Sequence, residues 1–439
     1  MTERPAWPWW LKLFWTVFGG AVIALWGAAL GIRLWPPEGR VHDFVQEWTS
    51  ARAYWEGDPV YGDLRESIPK YLGRPYDDVI KVNAHPPPSI VLMLPFGKLG
   101  YRQAFALWNI ISLSTLAITL WLLIRPQGLN YSPWVLLPWL ALILTSNALA
   151  QQVNQGQFSL LLLLMLTVAW DCSRRDRWQA AGAILGLAAA IKLFPAYMGL
   201  YLLARRQYRA IVAMGLAFGG SVAISITMFG VDNWVYYLGD IVPSLSIFHD
   251  YWQNTSITAF WSKLFVGASG HVTPLVHNEL VARVGVLTTC AVVTLWAGWA
   301  TWRATDQREL DRCYGGIVIA MMCVSPITWD HSFVMLLLPA AILWRTDRGL
   351  LKTVTTIALL ALITVYNKWI WDAMIPGNGE LAQFSGLEPS VATPWQSATA
   401  LSYQLYLLLL LFVVSVRPSW RREVAADSMP SLLRTNTAS

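Results

Sequence analysis

A few short stretches carry side chains that could do chemistry in an otherwise apolar chain. Asp43 and Glu47 stand four residues apart in His42-Asp43-Phe44-Val45-Gln46-Glu47-Trp48, so on a helix they share one edge. Paired carboxylates can act as general base and orienting partner. Asp43 could equally cap the helix, with Gln46 at N3 completing a capping box. Further on, His85 precedes Pro86-Pro87-Pro88, whose restricted backbone would hold it in place, either for substrate or as an interfacial structural histidine. Gln151 to Gln157 then puts five amides in seven residues. Amides are neutral donors and acceptors suited to sugar hydroxyls, with a plain polar turn as the competing reading.

Two further features are charged or titratable. Lys192 is an isolated ammonium in the apolar run Gly182 to Gly199 with no acidic neighbour close in sequence. It needs a counter-charge, which a lipid phosphate would supply, or it must snorkel to an interface. Ser325-Pro326-Ile327-Thr328-Trp329-Asp330-His331 is a polar knot between apolar runs. His331 at its end could contact a phosphate or an acceptor, or be a simple loop residue.

The elements that must hold these residues follow from composition. Of 439 residues, 55% are hydrophobic and 13% charged, against roughly 25% charged in a soluble protein. Mean hydropathy is +0.43. One aqueous core cannot bury that much apolar surface. Composition excludes a cytosolic enzyme, a disordered chain and a DNA-binding module, and with the last any nucleic-acid partner. The expectation is an all-α polytopic membrane protein forming a single transmembrane domain over residues 1–439.

Apolar runs predict twelve crossings, at 11–34, 104–124, 134–149, 158–172, 178–191, 193–204, 209–230, 281–302, 314–327, 332–345, 352–371 and 400–416. Several fall short of the ~20-residue norm, which is tolerable where helices surround helices. The first reads as a retained signal anchor. Residues 42–56 predict an amphipathic helix along the membrane surface, with Phe44, Trp48, Ala51 and Trp55 on its apolar face. Pro86 to Leu99 is apolar but short, a re-entrant or interfacial segment.

Charge orients the chain. The segments assigned inside, with their flanking residues, hold 19 Lys and Arg against 9 Asp and Glu; the remainder holds 13 against 17. By the positive-inside rule both termini are cytoplasmic, including a 417–439 tail. The outer side then receives the loops 35–103, 231–280 and 372–399, the last read as a connecting loop or a cover. It also receives Gln151 to Gln157, His331 and Lys192, the last at a turn where two short helices meet in Lys192-Leu193-Phe194-Pro195. Chemistry gathered on one face suits an enzyme acting on lipid-linked substrates at the extracytoplasmic side of a plasma membrane. A transport path would spread polar residues across the membrane depth.

Nucleotide-binding and hydrolase motifs are absent: no Walker A, G-x-G-x-x-G, H-E-x-x-H or G-x-S-x-G. The four cysteines have no metal-site spacing and read as small buried side chains. Neither a metal nor another cofactor is expected.

The order of the motifs resembles glycosyltransferase family 87. It runs from Asp43 through A-R-A-Y-W-E-G-D-P-V-Y (Ala51 to Tyr61), H-P-P-P (His85 to Pro88) and N-Q-G-Q (Asn154 to Gln157). A-A-I-K-L-F-P (Ala189 to Pro195), N-T-S (Asn254 to Ser256) and S-P-I-T-W-D-H (Ser325 to His331) complete it. The resemblance covers roughly residues 40 to 345. The chain departs from the family pattern at His85, where an aromatic is usual, and in N-T-S, where N-Q-S is usual.

The resemblance implies a GT-C fold of about twelve transmembrane helices with extracytoplasmic loops and interfacial helices. It implies a polyprenyl-phosphate sugar as donor and a glycolipid or cell-envelope glycan as acceptor, with membrane lipids around it. Family members include mannosyltransferases and an arabinofuranosyltransferase, so mannosyl transfer is expected, with arabinofuranosyl transfer or a lipid or sugar transporter or flippase as alternatives. Asp43 falls on the catalytic aspartate, Lys192 on the K-x-x-P position and His331 on S-P-x-x-W-x-H. The expected reaction is an inverting transfer. Asp43 deprotonates the acceptor hydroxyl and Lys192 and His331 stabilise the leaving phosphate. Glu47, His85, Asn154, Gln157 and Asn254 bind substrate.

Overall fold

The computed structural model describes residues 8–36, 42–76, 80–125, 133–347, 349–375 and 391–418. Among these the chain is helical, with one isolated bridge between Val272 and Ala392 and no strand. Five helices are long and apolar enough to cross a membrane: Trp9–Arg33, Tyr101–Ile124, Tyr208–Phe229, Glu279–Arg303 and Pro394–Val416. Two bent pairs raise the number to seven. The protein is an all-α polytopic membrane protein. The outward faces confirm the solvent: Leu216, Leu287 and Leu295 are each at least 70% exposed, an arrangement stable only against lipid tails.

The twelve expected crossings do not all meet that test, because several apolar runs are cut into shorter helices. The 134–149 run ends at Thr145, where Ser146 caps a new helix, Asn147–Gln155, by accepting from the Leu149 amide (3.2 Å). Residues 151–157, expected as a polar loop, are therefore mostly helical. That helix closes at Gly156, whose φ of +64° reverses the chain. The next helix, Ser159–Arg174, leaves at 116° to it. Only glycine takes this conformation without strain. The 352–371 run likewise breaks into Gly349–Thr364 and Asn367–Met374, bent by 76°.

Lys192 ends the helix Trp178–Ile191, and a 3₁₀ turn from Phe194 to Met198 leads into Gly199–Ala204. The two short helices do meet at Lys192. Trp178–Ile191 lies directly on Tyr208–Phe229: a Cβ at Gly182 would sit 2.0 Å from the Ala210 carbonyl oxygen, and one at Gly186 2.2 Å from that of Met214. Two small residues four apart let two backbones touch, the packing available where lipid removes the hydrophobic drive.

The helix Phe44–Glu56 forms where the surface helix is expected, and it packs against protein. Phe44, Val45, Gln46, Glu47, Trp48 and Ala51 are all buried, so its first turns are enclosed by protein. One partner is Pro87–Gly97, the segment expected to be interfacial. The Trp48 indole donates to the Leu99 carbonyl (3.0 Å) and the Trp55 indole to that of Leu94 (2.8 Å). The 372–399 loop falls largely outside the described residues, as does the tail beyond 418.

Candidate active site

Asp43, His85, Gln157, Lys192 and His331, gathered from five separate segments, line one cavity of about 760 Å³. Asp43 occupies the N-cap position of its helix but makes no capping bond there. The capping box does not form: the Gln46 side chain accepts from the Ala84 amide (3.1 Å). The Asp43 carboxylate instead receives a hydrogen bond from Gln157, whose Nε2 donates to Oδ2 (2.9 Å). The same amide accepts on its other side, from Lys192 Nζ (2.8 Å). The Asp43 backbone N–H donates to Gln155 Oε1 (3.3 Å).

The counter-charge that Lys192 needs is therefore internal. Glu47 and Asp43 both act on it electrostatically. Glu47 is itself 2% exposed and sits behind the wall, its Oε1 against Nδ1 of His85. His85 is held by its backbone as well: its N–H donates to Asn83 Oδ1 (2.9 Å) and its carbonyl accepts from the Tyr61 hydroxyl (2.7 Å). Asn83 in turn donates to Ser50 on the Phe44–Glu56 helix (3.0 Å). Burial pushes the His85 imidazole below its ordinary pKa; the Glu47 charge opposes that and the Lys192 charge adds to it.

His331 stands second in a 3₁₀ turn from Asp330 to Leu336, its Nδ1 3.1 Å from Ser159 Oγ. The knot preceding it is tied down by Asn254. That amide donates to the carbonyls of Phe248 and Pro326 (both 2.9 Å) and accepts from the N–H of Thr328 (3.0 Å) and Ser256 (3.2 Å). Asn254 is fully buried and does not line the cavity. Its amide is consumed in joining two loops, which places it as a clamp behind the wall. Asn154 is also off the wall; Gln151 and Gln155 of the same helix line it instead.

Gln151, Gln155 and Asp330 lie in stretches the sequence marks but does not single out, and Tyr366 is missed altogether. Asn147, Gln151 and Gln155 recur every four residues, a helical stripe visible in the sequence once 147–155 is taken as a helix. Asp330 accepts from Asn147 Nδ2 (3.1 Å). Tyr366 arrives from a break between helices far along the chain, and no local signal marks it. Among the described residues no group of three or more His, Cys, Asp and Glu side chains is placed to hold a metal.

A carboxylate, an ammonium and several amides converge on one cavity inside an apolar helical bundle. Residues 83–326 match the profile of glycosyltransferase family 87, and the chain belongs to that family. Its relatives include a polyprenol-phosphate-mannose-dependent alpha-(1-2)-phosphatidylinositol pentamannoside mannosyltransferase of Mycolicibacterium smegmatis, 28% identical. Another is a polyprenol-phosphate-mannose-dependent alpha-(1-2)-phosphatidylinositol mannoside mannosyltransferase of Mycobacterium tuberculosis, 25% identical. The chain spans 58% of the length of the first relative and 94% of the second, and the aligned stretches are 58% and 94% of this chain.

Proposed function

We propose that the chain transfers mannose from a polyprenyl-phosphate donor to a glycolipid of the phosphatidylinositol mannoside type, with inversion at the anomeric carbon. It acts as a multi-pass protein of the plasma membrane, with both termini cytoplasmic and the cavity opening on the extracytoplasmic side. The charge asymmetry of the loops supports that orientation, and the names of the relatives support donor and acceptor.

The observation that carries the mechanism is the Gln157 bridge. It holds a carboxylate and an ammonium on one wall with a single amide between them. Asp43 takes the proton of the acceptor hydroxyl, whose oxygen attacks the anomeric carbon. The bond from that carbon to the phosphate oxygen breaks, and the phosphate leaves with its electron pair. Lys192 stabilises the charge that develops on it, with His331 assisting. His85, buttressed by Glu47, and Gln157 orient sugar hydroxyls. The proposal requires neither a metal nor another cofactor, since the charge to be neutralised is that of one departing polyprenyl phosphate.

The test is transfer of radiolabel from polyprenyl-phosphate mannose to a phosphatidylinositol mannoside by the full chain in nanodiscs. Label is expected in the acceptor, with the anomeric configuration inverted, and Asp43→Asn should reduce the rate by at least about 100-fold. Near-normal transfer by Asp43→Asn removes the base assignment. Label that crosses a sealed bilayer without covalent change makes the protein a transporter.

A further inference from the structure

We propose that the part of the cavity bounded by Gln151, Asp330 and Tyr366, against the Trp329 ring, is a second sugar subsite. It would hold the penultimate residue of the acceptor glycan, an occupant that rests on the transferase reading above.

Distance separates this end from the first. Asn147, Gln151 and Gln155 lie along one stripe of the Asn147–Gln155 helix. At one end Gln155 accepts from the Asp43 backbone; at the other Asn147 donates to Asp330. Eight residues of helix put those ends about 12 Å apart along the axis. One pyranose does not span that length. Two linked pyranoses do.

The chemistry of the two ends also differs. Among the described residues lining the cavity, Lys192 is the only Lys or Arg, and it belongs to the Asp43 end. The far end offers the Gln151 amide, the Tyr366 hydroxyl and the Asp330 carboxylate. Behind them Gln151 Nε2 donates to Asn147 Oδ1 (3.3 Å), so the stripe is internally braced. Such groups answer hydroxyls and not phosphate.

An aromatic floor completes the subsite. Trp329 is half-buried on the cavity wall, held edge-on by Phe248 and Tyr251 at centroid distances of 5.8 and 5.7 Å. A fixed ring of this kind presents a broad apolar surface beside polar anchors, which matches the C–H face and the hydroxyl rim of a pyranose.

The experiment is calorimetric titration of the purified full chain in micelles with octyl mannoside and octyl mannobioside. The wild type should bind the disaccharide at least about 10-fold more tightly, the worth of one or two hydrogen bonds. Gln151→Ala and Tyr366→Phe should each cut that ratio to below about 3-fold. Tyr366→Phe removes one oxygen and keeps the ring, so misfolding does not imitate its effect. Equal wild-type affinities, no binding of either glycoside, or a ratio unchanged in both variants overturns the proposal. Wild-type protein that prefers the disaccharide yet transfers no sugar leaves the subsite standing and sinks only the transferase reading. Efficient transfer with equal affinity for both glycosides does the reverse.

Discussion

Asp43 and Lys192 share a single side-chain amide. Gln157, 114 residues from the first and 35 from the second, donates to the carboxylate and accepts from the ammonium. The bridge links opposite charges through one amide, and both side chains line the cavity.

Replacing Gln157 should therefore cost more than one hydrogen bond suggests. Gln157→Ala releases both charged groups, and kcat should fall about 10- to 100-fold, since bonds to charged groups are worth about 1.5–3 kcal/mol. Gln157→Glu places a second carboxylate against Asp43 while still pairing with Lys192, and should be the worse variant. Steady-state transfer rates order the two. Equal activity of Gln157→Glu and the wild type contradicts the bridge.

Lys192 is expected to act on the leaving group. Lys192→Met should lower kcat/KM for the lipid donor by about 100-fold, in line with the loss of one preorganised charge at a developing anion. Lys192→Arg keeps the charge but not the compact ammonium geometry that fits the Gln157 oxygen, and should recover only part of it. A donor KM that rises while kcat stays constant in Lys192→Met places the lysine in uniform binding instead.

His85 makes stability depend on pH. Burial holds its imidazole below the ordinary value of 6.5, with Glu47 opposing. Below pH 6.5 the unfolded chain takes up a proton that the folded chain does not, so stability declines as pH falls from 6.5 toward the lowered value. His249 and His271 are lowered by burial too and act in the same direction. His85→Gln should make the decline shallower without abolishing it, as read from thermal midpoints between pH 7.5 and 5. Glu47→Gln, which removes the opposing charge, should carry the decline to lower pH. An identical slope in wild type and His85→Gln contradicts the assignment.

The contact between Trp178–Ile191 and Tyr208–Phe229 should tolerate no side chain at Gly186. Gly186→Val puts a branched Cβ against the Met214 carbonyl, and overpacking of this kind costs about 1–3 kcal/mol. Less monodisperse protein after extraction and a lower unfolding midpoint are expected. Because Lys192 follows six residues later, transfer should fall as well. Gly199→Ala, whose Cβ would meet only the Met214 side chain at 3.7 Å or beyond, provides the contrast and should extract like the wild type.

Much of this arrangement was legible in the sequence, and the gaps have physical causes. Asp43, His85, Gln157, Lys192 and His331 stood out because polar side chains are costly in an apolar chain, and all five line the same cavity. The capping box at Asp43 was a sound local inference that tertiary contact overrode, since Gln46 and Asp43 both find partners far along the chain. Asn254 and Asn154 were grouped with the wall because a motif carries residue order but not direction. The amide stripe of 147–155 is masked by composition: Gln151 to Gln157, with five amides in seven residues, looks like a loop, and only the ends at Ser146 and Gly156 reveal a helix. Tyr366 was invisible because nothing local distinguishes it from other tyrosines at helix breaks.

The spread of the Gln157 bridge along the chain also bears on biosynthesis. Asp43 is synthesised well before Gln157 and Lys192, and at ~5–20 residues per second the interval is roughly 6–30 s. During that time the carboxylate waits for the Gln157 amide that later bonds it. Tyr366 is added later still. No nascent chain shorter than about five-sixths of the protein holds the complete cavity wall, since Tyr366 is part of it.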